Sequence, residues 1–182
     1  MNDVRPSLSW RAIGILAAVA TIILGASLFV ALRPTDAAPA TGPYADLILQ
    51  GKLTRRIAWA QLPASVSWDG TKAGAIPKDL QAVYRGQTLY KLIGMVDDKD
   101  PASFNVALAK KGYTIRFLAT DGYHWDMKSA TIIGEKSWIV ARLKNGKALP
   151  TGEGPYRDVG SFIHHFYGRQ SVKLLTRIQL IF

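Results

Sequence analysis

The stretch GRQSVKLLTRIQLIF, residues 168–182, decides how the rest of the chain is read. From Val172 the even positions are Val172, Leu174, Thr176, Ile178, Leu180 and Phe182. The odd positions are Ser171, Lys173, Leu175, Arg177, Gln179 and Ile181. Successive side chains on a strand point to opposite faces, so this alternation predicts a half-buried β-strand with the even set inward. Its mouth is chemically different. Arg169, Ser171 and Lys173 place two cations and a hydroxyl just ahead of the apolar run, and packing alone gives no reason for them.

Outward from this strand, short strands and short helices alternate. Residues 137–143 read as a strand, and Asn145-Gly146 after it is the strongest hairpin signal in the chain. In residues 113–120 the apolar set is Tyr113, Ile115, Phe117 and Ala119. Asp121-Gly122 then turns the chain, and Tyr123, Trp125 and Met127 alternate with His124, Asp126 and Lys128. A helix is expected over residues 101–111. Asp100 caps it, Pro101 suits its first position, Phe104 and Leu108 share a face, and Lys110, Lys111 and Gly112 close it. Leu89, Leu92 and Ile93 have helical spacing, with Gly94 as the stop. Residues 65–68 alternate before an Asp69-Gly70 turn. Residues 57–62 predict a turn and a half of helix, ended by Pro63, and Leu47-Ile48-Leu49 a short strand. The expected class is α+β, with strands and helices mixed along the chain.

The N-terminal 36 residues do not belong to such a domain. Residues 12–32, AIGILAAVATIILGASLFVAL, carry no charge and lie between Arg11 and Arg33. About 20 apolar residues span a bilayer as a helix, so a membrane anchor is expected. A cleavable signal peptide is the rival, because DAAPA at residues 36–40 offers small residues to a protease. The run exceeds the ~7–15-residue core of a signal, and Arg33-Pro34 separates it from that site, which favours a retained anchor. Arg5 and Arg11 precede the span, which points to an extracytoplasmic body. Pro and small residues make 37–44 a linker, leaving 45–182 as the domain.

The chain of 182 residues has no cysteine, which excludes disulfides, thiolate metal sites and Cys nucleophiles. It carries 23 Lys+Arg against 13 Asp+Glu. The basic residues are scattered, which fits a solubilising surface and also affinity for an anionic ligand, acidic partner or lipid. Phosphate-loop, H-E-x-x-H and G-x-S-x-G signatures are absent. His164-His165 makes a poor metal site, because neighbours on a strand diverge and no Cys or Glu stands at ligand spacing. Nucleic acid is not an expected partner of an anchored extracytoplasmic domain.

Five segments, in order, resemble the molybdopterin-binding domain of sulfite-oxidase-type oxidoreductases. They are RGQTLYKLIG (residues 85–94), IRFLATDGYHWDM (115–127), WIVARLKNGKALP (138–150), EGP (153–155) and GRQSVKLLTRIQL (168–180). The resemblance covers residues 45–182. It implies a mixed α/β fold that holds a pterin with a phosphate-bearing tail, and it makes Arg169, Ser171 and Lys173 candidate contacts to that ligand. A guanidinium, an ammonium and a hydroxyl suit a phosphate or a pterin edge. The rival reading is a solvated polar face on an edge strand. Tyr123, Trp125 and Trp68 are candidate aromatic walls, although as strand residues core or rim packing is the favoured reading. His124, after the Asp121-Gly122 turn, is a candidate for reaching a pocket, with a partly exposed loop histidine as the favoured reading.

The family's oxidoreductases hold molybdenum through a cysteine, and residues 65–84 contain none. A closer resemblance is to small extracytoplasmic members that also lack the cysteine. They are similar in size and in an A-x-D-x-Y-x-x-D turn, here Ala119, Asp121, Tyr123 and Asp126, and in aromatics before the last strand, here Phe166 and Tyr167. Such members bind a pterin and report it to a membrane signalling enzyme. The resemblance thus implies a ligand-binding, non-catalytic domain with no metal. The alternatives are a molybdenum oxidoreductase without the cysteine and a ligand-free accessory subunit of a membrane complex.

Overall fold

The computed structural model describes residues 45–73, 76–160 and 171–182. The expected anchor at 12–32, the linker at 37–44, His164, His165 and Arg169 lie outside the described residues. Among the described residues no helix is long and apolar enough to cross a membrane.

The closing strand lies in the middle of a sheet. Strand β10 (Leu175–Ile181) runs parallel to β1 (Leu47–Gln50) and antiparallel to β5 (Thr114–Ala119). With β2 (Thr54–Ile57) and β6 (His124–Lys128) at the edges, the order is β2-β1-β10-β5-β6. The apolar alternation of β5 is borne out, since Ile115, Phe117 and Ala119 are all buried. That of β10 needs correction. The register against β5 shifts between Leu175 and Arg177, and the buried residues are Leu175, Ile178 and Leu180. A bulge adds one residue and changes the parity of the inward face. Leu174, expected inside the strand, precedes it at a positive φ of 54°, and Phe182 is exposed.

A second sheet has the order β3-β4-β7-β8, with β9 also paired to β7. Its strands are β3 (Val66–Asp69), β4 (Val83–Thr88), β7 (Ile139–Lys144), β8 (Lys147–Ala148) and β9 (Arg157–Val159). Strand β7 is buried on both faces. Val140 joins the main core with Leu47, Phe117 and Ile178, whereas Ile139 and Ala141 join a smaller core with Trp68, Leu80 and Tyr84. Asn145 (φ 50°) and Gly146 (φ 77°) supply the two left-handed residues that a tight β7–β8 hairpin requires.

Helix α1 (Leu89–Gly94) forms as its spacing predicts, with the Thr88 hydroxyl accepting from the Lys91 N–H, and it buries Leu89, Leu92 and Ile93. Helix α2 (Val106–Lys111) begins later than expected. Asp100 accepts from the Ala102 N–H and the Ser103 hydroxyl, which folds that segment into a turn, and Asn105 caps the helix through the Leu108 N–H. The helix expected over 57–62 is shorter too: β2 takes Ile57, leaving one 3-10 turn at Trp59–Gln61.

Candidate functional site

The mouth of β10 opens onto β9 and the short 3-10 turn Lys78–Leu80. Strand β9 brings Arg157 there. Its side chain is 1% exposed, and each guanidinium nitrogen has a partner within the protein. Nε donates to Ser171 Oγ (2.7 Å), one terminal nitrogen to Glu153 Oε2 (2.9 Å) and the other to Asp79 Oδ2 (2.9 Å). Lys173 Nζ lies 2.9 Å from that same Asp79 oxygen. Lys144 Nζ, from the end of β7, pairs with Glu153 Oε1 at 2.6 Å and donates to the Asp79 carbonyl at 3.1 Å. The Tyr84 hydroxyl donates to that carbonyl at 2.8 Å.

A buried guanidinium is tolerable only with its donors and charge answered, and two carboxylates and a hydroxyl answer them here. The cluster is graded in exposure. Arg157 is sealed and Glu153 is 13% exposed, whereas Asp79 and Lys173 reach solvent at 42% and 44%. Burial pushes the Asp79 carboxyl up, but hydrogen bonds from Lys173 and Arg157 overcome it and leave it below its ordinary value. Glu153 is held low in the same way, against burial, by Lys144 and Arg157. Asp158, beside them, is pushed up to about 8 by burial. The Val172 N–H that donates to its Oδ1 and the neighbouring Arg157 only partly oppose this. Near neutrality Asp158 is therefore mostly uncharged, and three cations face two carboxylates.

The sequence-predicted residues fall into three places. Ser171 and Lys173 both join the Arg157 cluster. Ser171 is buried, accepting from Arg157 and donating to the Asp158 carbonyl at 2.7 Å, so its hydroxyl ties β9 to the approach of β10. Trp68 is buried in the smaller core against Tyr84, with ring centroids 5.9 Å apart, and so backs the cluster from inside. Tyr123, His124 and Trp125 lie on the β5–β6 hairpin. Trp125 packs on Phe117 and Trp138 at 5.4 and 5.7 Å, as a half-buried flank of the main core. Tyr123 is 45% exposed and His124 is exposed on the edge strand. The hairpin turn meets the site through the Thr120 N–H, which donates to the Leu174 carbonyl at 3.0 Å. Arg169 lies outside the described residues.

Sequence reasoning missed Arg157, Asp79, Glu153, Lys144 and Asp158. Glu153 and Arg157, four residues apart with opposite charge, were a faint local signal. Asp79 gave none, because it is separated from Arg157 by 78 residues.

The residues do not fit a thiolate-held molybdenum. The chain has no cysteine, and the described residues contain no group of three or more His, Cys, Asp or Glu placed to hold a metal. At the mouth Lys173 stands at the surface with Arg157 behind it, both paired with Asp79.

With one mixed sheet, one antiparallel sheet and two short α-helices among the described residues, the domain is α+β. Among solved structures it is similar to the sulfane dehydrogenase SoxCD from Paracoccus pantotrophus, at a TM-score of 0.51 and 14% identity over 75% of this chain. The match covers 38% of the SoxCD chain, so the likeness is to part of a larger protein. It supports a distant sulfite-oxidase-like fold. No family model and no curated protein matches the sequence.

Proposed function

We propose that this chain is a membrane-anchored, extracytoplasmic domain that binds a pterin-like anionic molecule without redox turnover and passes its bound state to a partner protein. The observation behind this reading is the convergence of Arg157 and Lys173, each at 2.9 Å, on one oxygen of the partly exposed Asp79 side chain. Such a position suits the anionic oxygen of a ligand as well as it suits a carboxylate. An incoming oxyanion competes with Asp79 for Lys173, the more exposed cation, while Arg157 keeps its buried partners. The Lys78–Leu80 turn that carries Asp79 then shifts, and that shift is the message to the partner. Tyr123, on the turn bonded to Leu174, supplies an aromatic face.

Titration calorimetry of the full chain with reduced and oxidised pterins tests the reading. Saturable heat that weakens tenfold or more in Lys173→Ala is the expected result. Absence of heat with every pterin overturns it.

One observation favours a second reading, a ligand-free accessory subunit. All three guanidinium nitrogens of Arg157 are already engaged inside the protein. Co-purification of a large membrane complex with no extractable pterin would support it.

A further inference from the structure

The first sheet turns one face to the main core, through Leu49, Phe117 and Ile178, and leaves the other without a core of its own among the described residues. Residues paired across neighbouring strands point to the same side, so the registers fix what that outer face carries. One row crosses all five strands as Arg56, Ile48, Arg177, Leu118 and His124. Ile48 and Leu118 belong to neither hydrophobic core, and all five residues of the row are at least partly exposed. Strand β10, whose approach carries Ser171 and Lys173, places Arg177 at the centre of this face.

The row is short of negative charge. Among the described residues Arg177 has no ion partner, and Arg56 reaches only Asp46, at 3.7 Å, longer than a close charge-assisted hydrogen bond. Neighbouring strands lie about 4.8 Å apart, so the two arginines stand about 10 Å apart with Ile48 between them. In the adjoining row Arg116 is answered by Asp126 through two bonds of 2.8 and 2.7 Å, and the paired Gln50 and Gln179 add neutral donors and acceptors. Cations that alternate with aliphatic side chains complement a segment that alternates carboxylates with apolar side chains. Nucleic acid and an anionic bilayer fit less well, because Asp46 and Asp126 set carboxylates beside Arg56 and Arg116 and repel a continuous array of phosphates.

We propose that this outer face docks an acidic segment of a partner protein, with its carboxylates on Arg56 and Arg177 and its apolar side chains over Ile48 and Leu118. The inference deepens the proposed function by giving the partner a chemistry and a docking place. It rests on that reading in requiring a partner, but it does not require a pterin.

The test titrates the full chain, in nanodiscs of zwitterionic lipid, with synthetic helical peptides. The first presents Glu and Leu in alternate turns of one face, since a helical turn of about 5.4 Å is close to the strand spacing. A second has Gln for every Glu, and a third has the composition of the first with Glu and Leu on opposite faces. The methyl signals of Ile48 and Leu118 are followed by NMR, with Leu47 and Leu49 reporting the buried face. Saturable shifts of Ile48 and Leu118 are expected with the first peptide, about tenfold weaker with the other two, and weaker as salt is raised. Arg56→Gln/Arg177→Gln should lose about tenfold in peptide affinity while keeping whatever pterin heat the wild type shows, so docking and ligand binding fail separately. Arg56→Glu/Arg177→Glu should instead prefer a peptide with Lys for every Glu, a reversal that misfolding cannot produce. No saturable shift of Ile48 or Leu118 with the Glu peptide overturns the proposal. So does equal affinity for the Gln peptide, or a larger response of those methyl groups to phosphatidylglycerol nanodiscs or to an oligonucleotide.

Discussion

Lys173 and Arg157 share one acceptor, Asp79 Oδ2, from opposite sides of the solvent boundary: the ammonium is 44% exposed and the guanidinium 1%. The same carboxylate therefore belongs to a surface pair and to a buried pair. The energetics of the two differ greatly, and the first two predictions depend on that difference.

Arg157→Ala leaves Glu153 beside a void and Ser171 without its charged donor. Removing one member of a buried pair typically costs about 3–5 kcal/mol. Arg157→Lys should restore only part of this, because an ammonium cannot make the three divergent bonds that the guanidinium makes. Urea unfolding of the three proteins checks the order wild type, lysine variant, alanine variant.

Lys173→Ala should change stability by less than about 1 kcal/mol, since exposed pairs are screened and contribute little. A marked fall in pterin affinity at near-constant melting temperature would separate a binding role for Lys173 from a structural one. A fall in both together would count against the binding role.

Asp158 sets a pH dependence. Its carboxyl is pushed up to about 8 in the folded protein by burial, against an ordinary value near 4. Between those values the unfolded chain has released this proton and the folded chain still holds it. The unfolded state then binds fewer protons, so this residue's contribution to stability falls as the pH rises from about 4 to about 8. Asp79 and Glu153 act in the opposite sense. Their folded values are depressed, so their contribution is present above about 4 and is lost as the solution is acidified below it. Asp158→Asn should therefore flatten the decline between pH 5 and pH 8 and leave the acid limb in place. Denaturant unfolding across that range measures it.

Gly86→Ala should be among the most damaging single-methyl changes in the domain. A Cβ at Gly86 would lie 1.9 Å from the Val140 carbonyl oxygen, where β4 and β7 approach each other at a register shift. Neither backbone can yield without breaking the ladder, so a loss of about 3 kcal/mol or more is expected, at or above the upper range for overpacked cores. Gly152→Ala, with nothing within 4 Å, is the control and should be nearly neutral.

Much of this protein could be read locally. Tyr113, Ile115 and Phe117 point inward because alternation on a strand is a property of neighbouring residues. The Asn145-Gly146 turn follows from the same short range, since a left-handed pair is easy for those residues. The absence of any cysteine by itself excludes thiolate chemistry. Ser171 and Lys173 were legible as unusual, because cations and a hydroxyl at the head of an apolar strand need some other partner. Which partners they find is a long-range matter. Asp79 and Arg157 meet across 78 residues, and only the pairing of β9 with β7 and the position of the Lys78–Leu80 turn bring them together. The inward parity of β10 was likewise decided by a bulge against β5, not by its own alternation. Side-chain period and turn chemistry act between neighbours, so the sequence by itself determined them. Charge neutralisation and strand register act between segments distant in the chain, so only the tertiary structure could decide them.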